Sequence, residues 1–143
     1  MLDLAIWIQI LSSMGMVTLI LLVQVLIYPQ FKNVSLDQLP SYASFHSRRI
    51  SYIVVPLMIL EAVSLGGLVY QIGWNSWAVN SSGILLLLIW GLTFFKIVPV
   101  HKKLSSKPES RDVDQLLKLN SVRTFLWATK APISIHFCMK LLN

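Results

Sequence analysis

Apolar stretches long enough to cross a bilayer fill nearly all of this 143-residue chain, and they constrain its fold more than any motif does. A membrane helix needs roughly 20 apolar residues, and inside the bilayer each backbone polar group must be bonded within the protein. Such stretches run over 4–28, 40–70, 78–104 and 114–142, joined by short connections. The expected fold is therefore all-α, a four-transmembrane-helix bundle, with 1–143 forming a single integral membrane unit.

Charge supports this reading. Only 13% of residues are charged and 55% are hydrophobic, whereas a soluble domain carries about 25% charged residues. The net charge of +6 would point to nucleic acid in a soluble chain. Here the basic residues gather in two connections, where membrane topology and anionic headgroups account for them. The lipid bilayer is thus the expected partner, and nucleic acid is not. A single cysteine, Cys138, excludes an intrachain disulfide.

The first stretch reads as a retained helix rather than a signal peptide, because Asp3 replaces a basic start and no small-residue cleavage site follows. Gln9, Ser13, Met16, Ile20, Gln24 and Tyr28 recur at spacings of three to four, so its polar groups form one stripe that should face protein. Pro29 should end or bend the span. Ser35 or Asp37 is placed to cap a second helix starting near Leu39 or Pro40, which Pro56 and Glu61 interrupt. Ala62, Gly66 and Gly67 offer a small surface for close helix packing. Trp74 and Trp77 suit an interfacial belt, and Lys96 can snorkel to the headgroups from the end of the third span.

Orientation follows from counting. Lys32, Arg48, Arg49, Lys96, Lys102, Lys103, Lys107, Arg111, Lys118 and Arg123, ten of the twelve basic residues, lie in or beside the first and third connections. The positive-inside rule places both connections in the cytoplasm and both termini outside it.

Two groups of polar residues carry the functional expectations. At 100° per residue, His46, Arg49, Glu61 and Ser64 share one face of the second helix, and Glu61 lies roughly 16 Å into a core about 30 Å thick. An ionisable group at that depth faces the bundle interior and pairs, or stays protonated. The fourth helix offers a partner, since Asn120, Arg123, Thr124, Trp127 and Lys130 form one stripe that brings Lys130 toward the depth of Glu61. Nearer the cytoplasm, His46, Arg49, His101, Asn120 and Arg123 come to one level, with His101 in register with Trp90, Phe94 and Ile97. Such a cluster suits an anion, a lipid headgroup or the polar end of an apolar molecule, and equally a hydrated interface.

Metal and cofactor chemistry is poorly supported. A di-iron carboxylate bundle needs several inward glutamates, and the membrane part has one. His46 and His101 match in depth for haem, but their basic neighbours favour an interfacial role. His136, Cys138 and Met139 are soft copper ligands in an apolar helix end that packing explains as well. No metal site or cofactor is assigned, and no catalytic triad, P-loop or dinucleotide glycine pattern is present.

The second half of the chain, VPVHKKL followed by LLKLNSVRTFLWATKA, resembles the anthrone-oxygenase-like small four-helix membrane proteins. The likeness rests on Pro99, His101 and Leu104, then on Asn120, Arg123 and Thr124. YPQF, HSRRI and VVPLMILE also look like segments of small bacterial membrane proteins, which implies a bacterial inner membrane. The resemblance implies a four-helix bundle and oxidation of an apolar aromatic compound.

Three functional classes follow. The first is a binding or accessory protein for a lipophilic molecule, a lipid or a membrane partner subunit. The second is an oxygenase-like membrane oxidoreductase using His46, Glu61, His101 and Arg123 as acid-base and anchoring groups. The third is a small proton-coupled transporter with Glu61 as carrier, which would require a homo-oligomer.

Overall fold

The computed structural model describes residues 1–142. Its chain folds into four helices, Leu2–Asn33, Leu39–Ile72, Trp77–Leu104 and Ser110–Leu142, packed as an all-α bundle. The first three are long and apolar enough to cross a membrane, as in a multi-pass membrane protein. The fourth is as long as these, yet less apolar, because it carries Arg111, Asp112, Asp114, Lys118, Arg123, Lys130 and Lys140, of which Asp112, Arg123 and Lys130 are buried. Exposure is inverted relative to a soluble protein: Leu11, Val25, Val63, Leu87 and Phe125 face outward, while Gln9, Ser13, Glu61, Asn120 and Lys130 are buried. Lipid satisfies the outer surface, so helix association rests on packing and interhelical hydrogen bonds rather than on expulsion of water.

Pro29 does not end the first helix. The helix widens into a π-turn over Val23–Ile27, in which the Tyr28 N–H donates to the Val23 carbonyl, five residues back. Pro29 then lies in the first turn of a fresh helical segment, where its missing N–H leaves no gap in the ladder. The same device recurs in the third helix. A π-turn over Thr93–Ile97 closes with the Val98 N–H on the Thr93 carbonyl, and Pro99 follows. The two π-turns begin at Val23 and Thr93 and stand in the same place before their prolines.

The second helix starts without the expected side-chain cap. Gln38 occupies the cap position, and the Ser35 carbonyl accepts the N–H groups of Gln38 and Leu39. A backbone turn thus does what Ser35 Oγ or Asp37 was expected to do. Pro56 passes through this helix on its exposed side. Gly73, at φ +83°, stops it, in a conformation that favours glycine over any side chain.

Around the bundle, the first helix packs against the second and the fourth, and the fourth packs against the third. The second and third meet only sparsely, which leaves an open seam between them. One cavity of about 510 Å³ lies in this seam toward the connections 34–38 and 105–109, the basic end of the molecule. An apolar groove of about 530 Å³ lies in it toward Trp74, the tryptophan end. The small residues contribute differently from expectation: a Cβ on Gly67 would lie 3.5 Å from Ala5 of the first helix, whereas Gly66 faces open space and lines the groove.

Ion pairs tie the basic end together. Lys103 bonds Glu109 and the buried Asp112, and Lys32 bonds Asp114 at 2.6 Å. Asp112 also accepts the Glu109 N–H while its own N–H donates to the Glu109 carbonyl, which closes the start of the fourth helix.

Candidate functional site

The deeper polar group centres on Glu61 and Lys130, both fully buried, with Lys130 Nζ 2.7 Å from Glu61 Oε2. The pair joins the second helix to the fourth. The first helix completes it: Gln9 Nε2 donates to Glu61 Oε2 at 2.6 Å, and Ser13 Oγ donates to Glu61 Oε1. Gln9 in turn accepts from Ser64 Oγ at 2.7 Å, so its amide is held at both ends. Lys130 also reaches Ser134 Oγ, which meets Ser82 Oγ of the third helix at 2.9 Å. All four helices therefore share one network. Its chemistry is that of a closed lock, since each carboxylate oxygen already has a donor.

Sequence reasoning placed the inward stripe of the first helix but did not name Gln9 and Ser13 as partners of Glu61. The available signal was depth: counted from the opposite ends of their spans, these residues reach the same level. Ser82 and Ser134 carried no signal of their own.

The second group adjoins the cavity at the basic end, which Tyr28, His101 and Arg123 help to line. Tyr28 Oη and His101 Nε2 are 2.8 Å apart, linking the two segments that follow the π-turns. His46 of the second helix stacks on His101 with ring centroids 6.2 Å apart and meets Tyr28 edge-on at 5.8 Å. Arg123, only 6% exposed, lines the cavity with Tyr28 and His101. Its Nη2 donates to Asn120 Oδ1 at 2.7 Å, while Asn120 Nδ2 donates to Gln24 Oε1 at 2.7 Å. Gln24 also donates to Ser121, so the chain Ser121, Gln24, Asn120, Arg123 fixes the guanidinium from behind.

Several buried nitrogens here have no partner among the described residues: His46 Nε2, His101 Nδ1 and Arg123 Nε. An unpaired polar group shut away from water is costly, so these nitrogens call for a partner, as do the indole nitrogens of Trp90 and Trp127 elsewhere in the bundle.

The structure thus brings His46, His101, Asn120 and Arg123 to one place and leaves Arg49 out of it. Arg49 is exposed and lies over the Phe45 ring at 5.3 Å. Helical phase at 100° per residue sets Arg49 about 60° from His46, an offset wide enough for a long side chain to reach the headgroups instead. The register expected for the third helix also changes. The π-turn separates Trp90 from His101, and Phe94 turns outward at 52% exposed while Ile97 and His101 stay inside. Tyr28, which sequence reasoning left at the end of a stripe, becomes the hub of the cluster. At the tryptophan end Cys138 is buried while His136 and Met139 are exposed, so these soft ligands do not converge.

No family model, curated protein or solved structure matches the chain. Fold and site define a class directly: a multi-pass helical membrane bundle locked by a buried Glu61–Lys130 ion pair.

Proposed function

We propose that the protein holds a lipophilic molecule in the seam between the second and third helices, gripping its polar end at Tyr28, His101 and Arg123. The observation that carries this is the cavity of about 510 Å³, within the range of small-molecule sites. Ile50, Val54, Val55, Met58, Phe94 and Ile97 make its walls apolar, and its polar end carries nitrogens without partners. A seam between two membrane helices opens sideways to lipid, the route a lipophile would take.

The experiment is copurification. Protein purified in mild detergent and extracted into organic solvent should release a lipophile that mass spectrometry finds enriched over a control membrane protein. Val54→Trp, which fills the cavity away from the polar end, should release less than half as much. Equal recovery from both proteins would defeat the reading.

A second reading, an oxygenase-like enzyme acting on an apolar aromatic compound, draws support from one observation. His101, Asn120 and Arg123, three of the residues on which the anthrone-oxygenase resemblance rests, meet in the lining of this cavity or directly behind it. Glu61 has no part in that reading, because it lies outside the cavity lining. Oxygen uptake that depends on an added polycyclic phenol and on His101 would favour it; none would leave binding alone.

A further inference from the structure

Charge at the cavity is one-sided. Arg48, Lys102 and Arg123 line it together with His101, and among the described residues no carboxylate does. The chain has six acidic residues, and four of them are committed elsewhere: Glu61 to Lys130, Glu109 and Asp112 to Lys103, and Asp114 to Lys32. Asp3 and Asp37 are exposed and make no ion pair among the described residues. Among the described residues Arg123 is therefore a buried cation whose hydrogen-bond partners, the Asn120 carbonyl oxygen and the Tyr28 hydroxyl, are dipoles rather than charges. A guanidinium keeps its proton in a protein, so it cannot escape the cost of burial by becoming neutral.

We infer that the occupant is an anionic amphiphile, an acyl chain ending in a carboxylate or a phosphodiester, whose head supplies the missing counter-charge of Arg123. This rests on the binding reading above and adds the charge of the ligand. Guanidinium geometry suits either head, since both present oxygens to its N–H groups in pairs. The lining is graded in the same sense. Ser44, Ser47, Arg48 and Lys102 stand at the basic end, and Val54, Val55, Met58 and Phe94 at the far end. From Ser44 to Met58 the second helix rises roughly 21 Å, which suits an extended chain better than a compact solute. A head among Arg48, Lys102 and Arg123 leaves its chain against the apolar wall.

The test compares binding of four probes to the full-length protein in neutral detergent: palmitate, phosphatidylglycerol, hexadecanol and inorganic phosphate. Palmitate or phosphatidylglycerol should bind at least about tenfold more tightly than hexadecanol, and the better of the two identifies the head. Inorganic phosphate should not displace it. Arg123→Gln should erase the preference for charge and Arg123→Lys should keep most of it, with helical content checked by circular dichroism. The comparison of palmitate with hexadecanol on the unmutated protein needs no variant to fold. Equal binding of these two would overturn the inference and leave the lipophile reading standing. Binding of none of the amphiphiles would overturn both, and displacement of palmitate by phosphate alone would overturn the amphiphile in favour of a free anion.

Discussion

At the scale of single residues, Glu61 and Arg123 show two ways of keeping a charge inside a membrane bundle. Glu61 has Lys130 at 2.7 Å and neutral donors in Gln9 and Ser13, so its charge is answered within the chain. Removing one partner of such a pair costs about 3–5 kcal/mol, because the other is left buried and uncompensated. Lys130→Met and Glu61→Gln should each destabilise the bundle by that order in a reversible unfolding titration in mixed micelles. The double variant Glu61→Leu/Lys130→Met should recover most of the loss but not all, since Gln9 and Ser13 then lose their acceptor. Additive losses would refute the coupling. Ser13→Ala, removing one hydrogen bond, should cost only about 0.6 kcal/mol, the usual value between membrane helices. Counting rise per residue made the depth of Glu61 and the approach of Lys130 legible. It left Gln9 and Ser13 unassigned as partners, because a shared depth narrows the candidates without showing which helices adjoin.

At the scale of elements, the informative surprise is the pair of π-turns. Proline in a continuous α-helix removes one hydrogen bond and presses its ring on the carbonyl four residues back. Widening the preceding turn by one residue shifts that carbonyl aside and turns the following side chains on the helix. The bonds of Tyr28 to Val23 and of Val98 to Thr93 record this slip. Its structural product is the meeting of Tyr28 with His101, each placed by the segment after its own π-turn. Pro29→Ala restores an N–H that can bond the Val25 carbonyl and draw the turn back to α geometry. That change would swing Tyr28 off His101 by about 100°. The expected result is a lower melting temperature, by the order of one hydrogen bond, about 0.5–1.5 kcal/mol, together with weaker ligand retention. A raised melting temperature, the usual gain on removing proline from a helix, would show that the π-turn is indifferent to it. Sequence made the four helices legible through their apolar length and made Pro29 visible as a break. It hid the π-turns, because VQVLIYP and TFFKIVP share little beyond apolar character and a proline, and a slipped hydrogen bond leaves no compositional mark.

At the scale of the whole molecule, the two ends differ in kind, and that difference predicts how the protein lies in its membrane. The basic end has Lys32, Lys103, Lys107 and Arg111 around the connections 34–38 and 105–109, partly offset by Glu109, Asp112 and Asp114. Acidic residues weigh little in setting orientation, so the lysines and arginines dominate. The tryptophan end has Trp74 and Trp77, 64% and 70% exposed, and no basic residue in its connection. The expected arrangement puts the basic end in the cytoplasm and both termini on the other side. The natural cysteine helps to test it, because Cys138 is fully buried and should stay silent to a membrane-impermeant maleimide. Asn75→Cys, at the exposed tryptophan connection, should label in intact cells. Ser106→Cys, at the exposed basic connection, should label only after permeabilisation. The reverse pattern would invert the protein, and labelling of both sites in intact cells would show mixed insertion. The outcome also bears on the ligand, since the cavity with Arg48, Lys102 and Arg123 sits at the basic end. In the expected orientation its cationic mouth meets the cytoplasmic leaflet, whose surface is rich in anionic lipid. An anionic amphiphile would then reach Arg123 from the leaflet in which its head already lies, with no need to cross the bilayer.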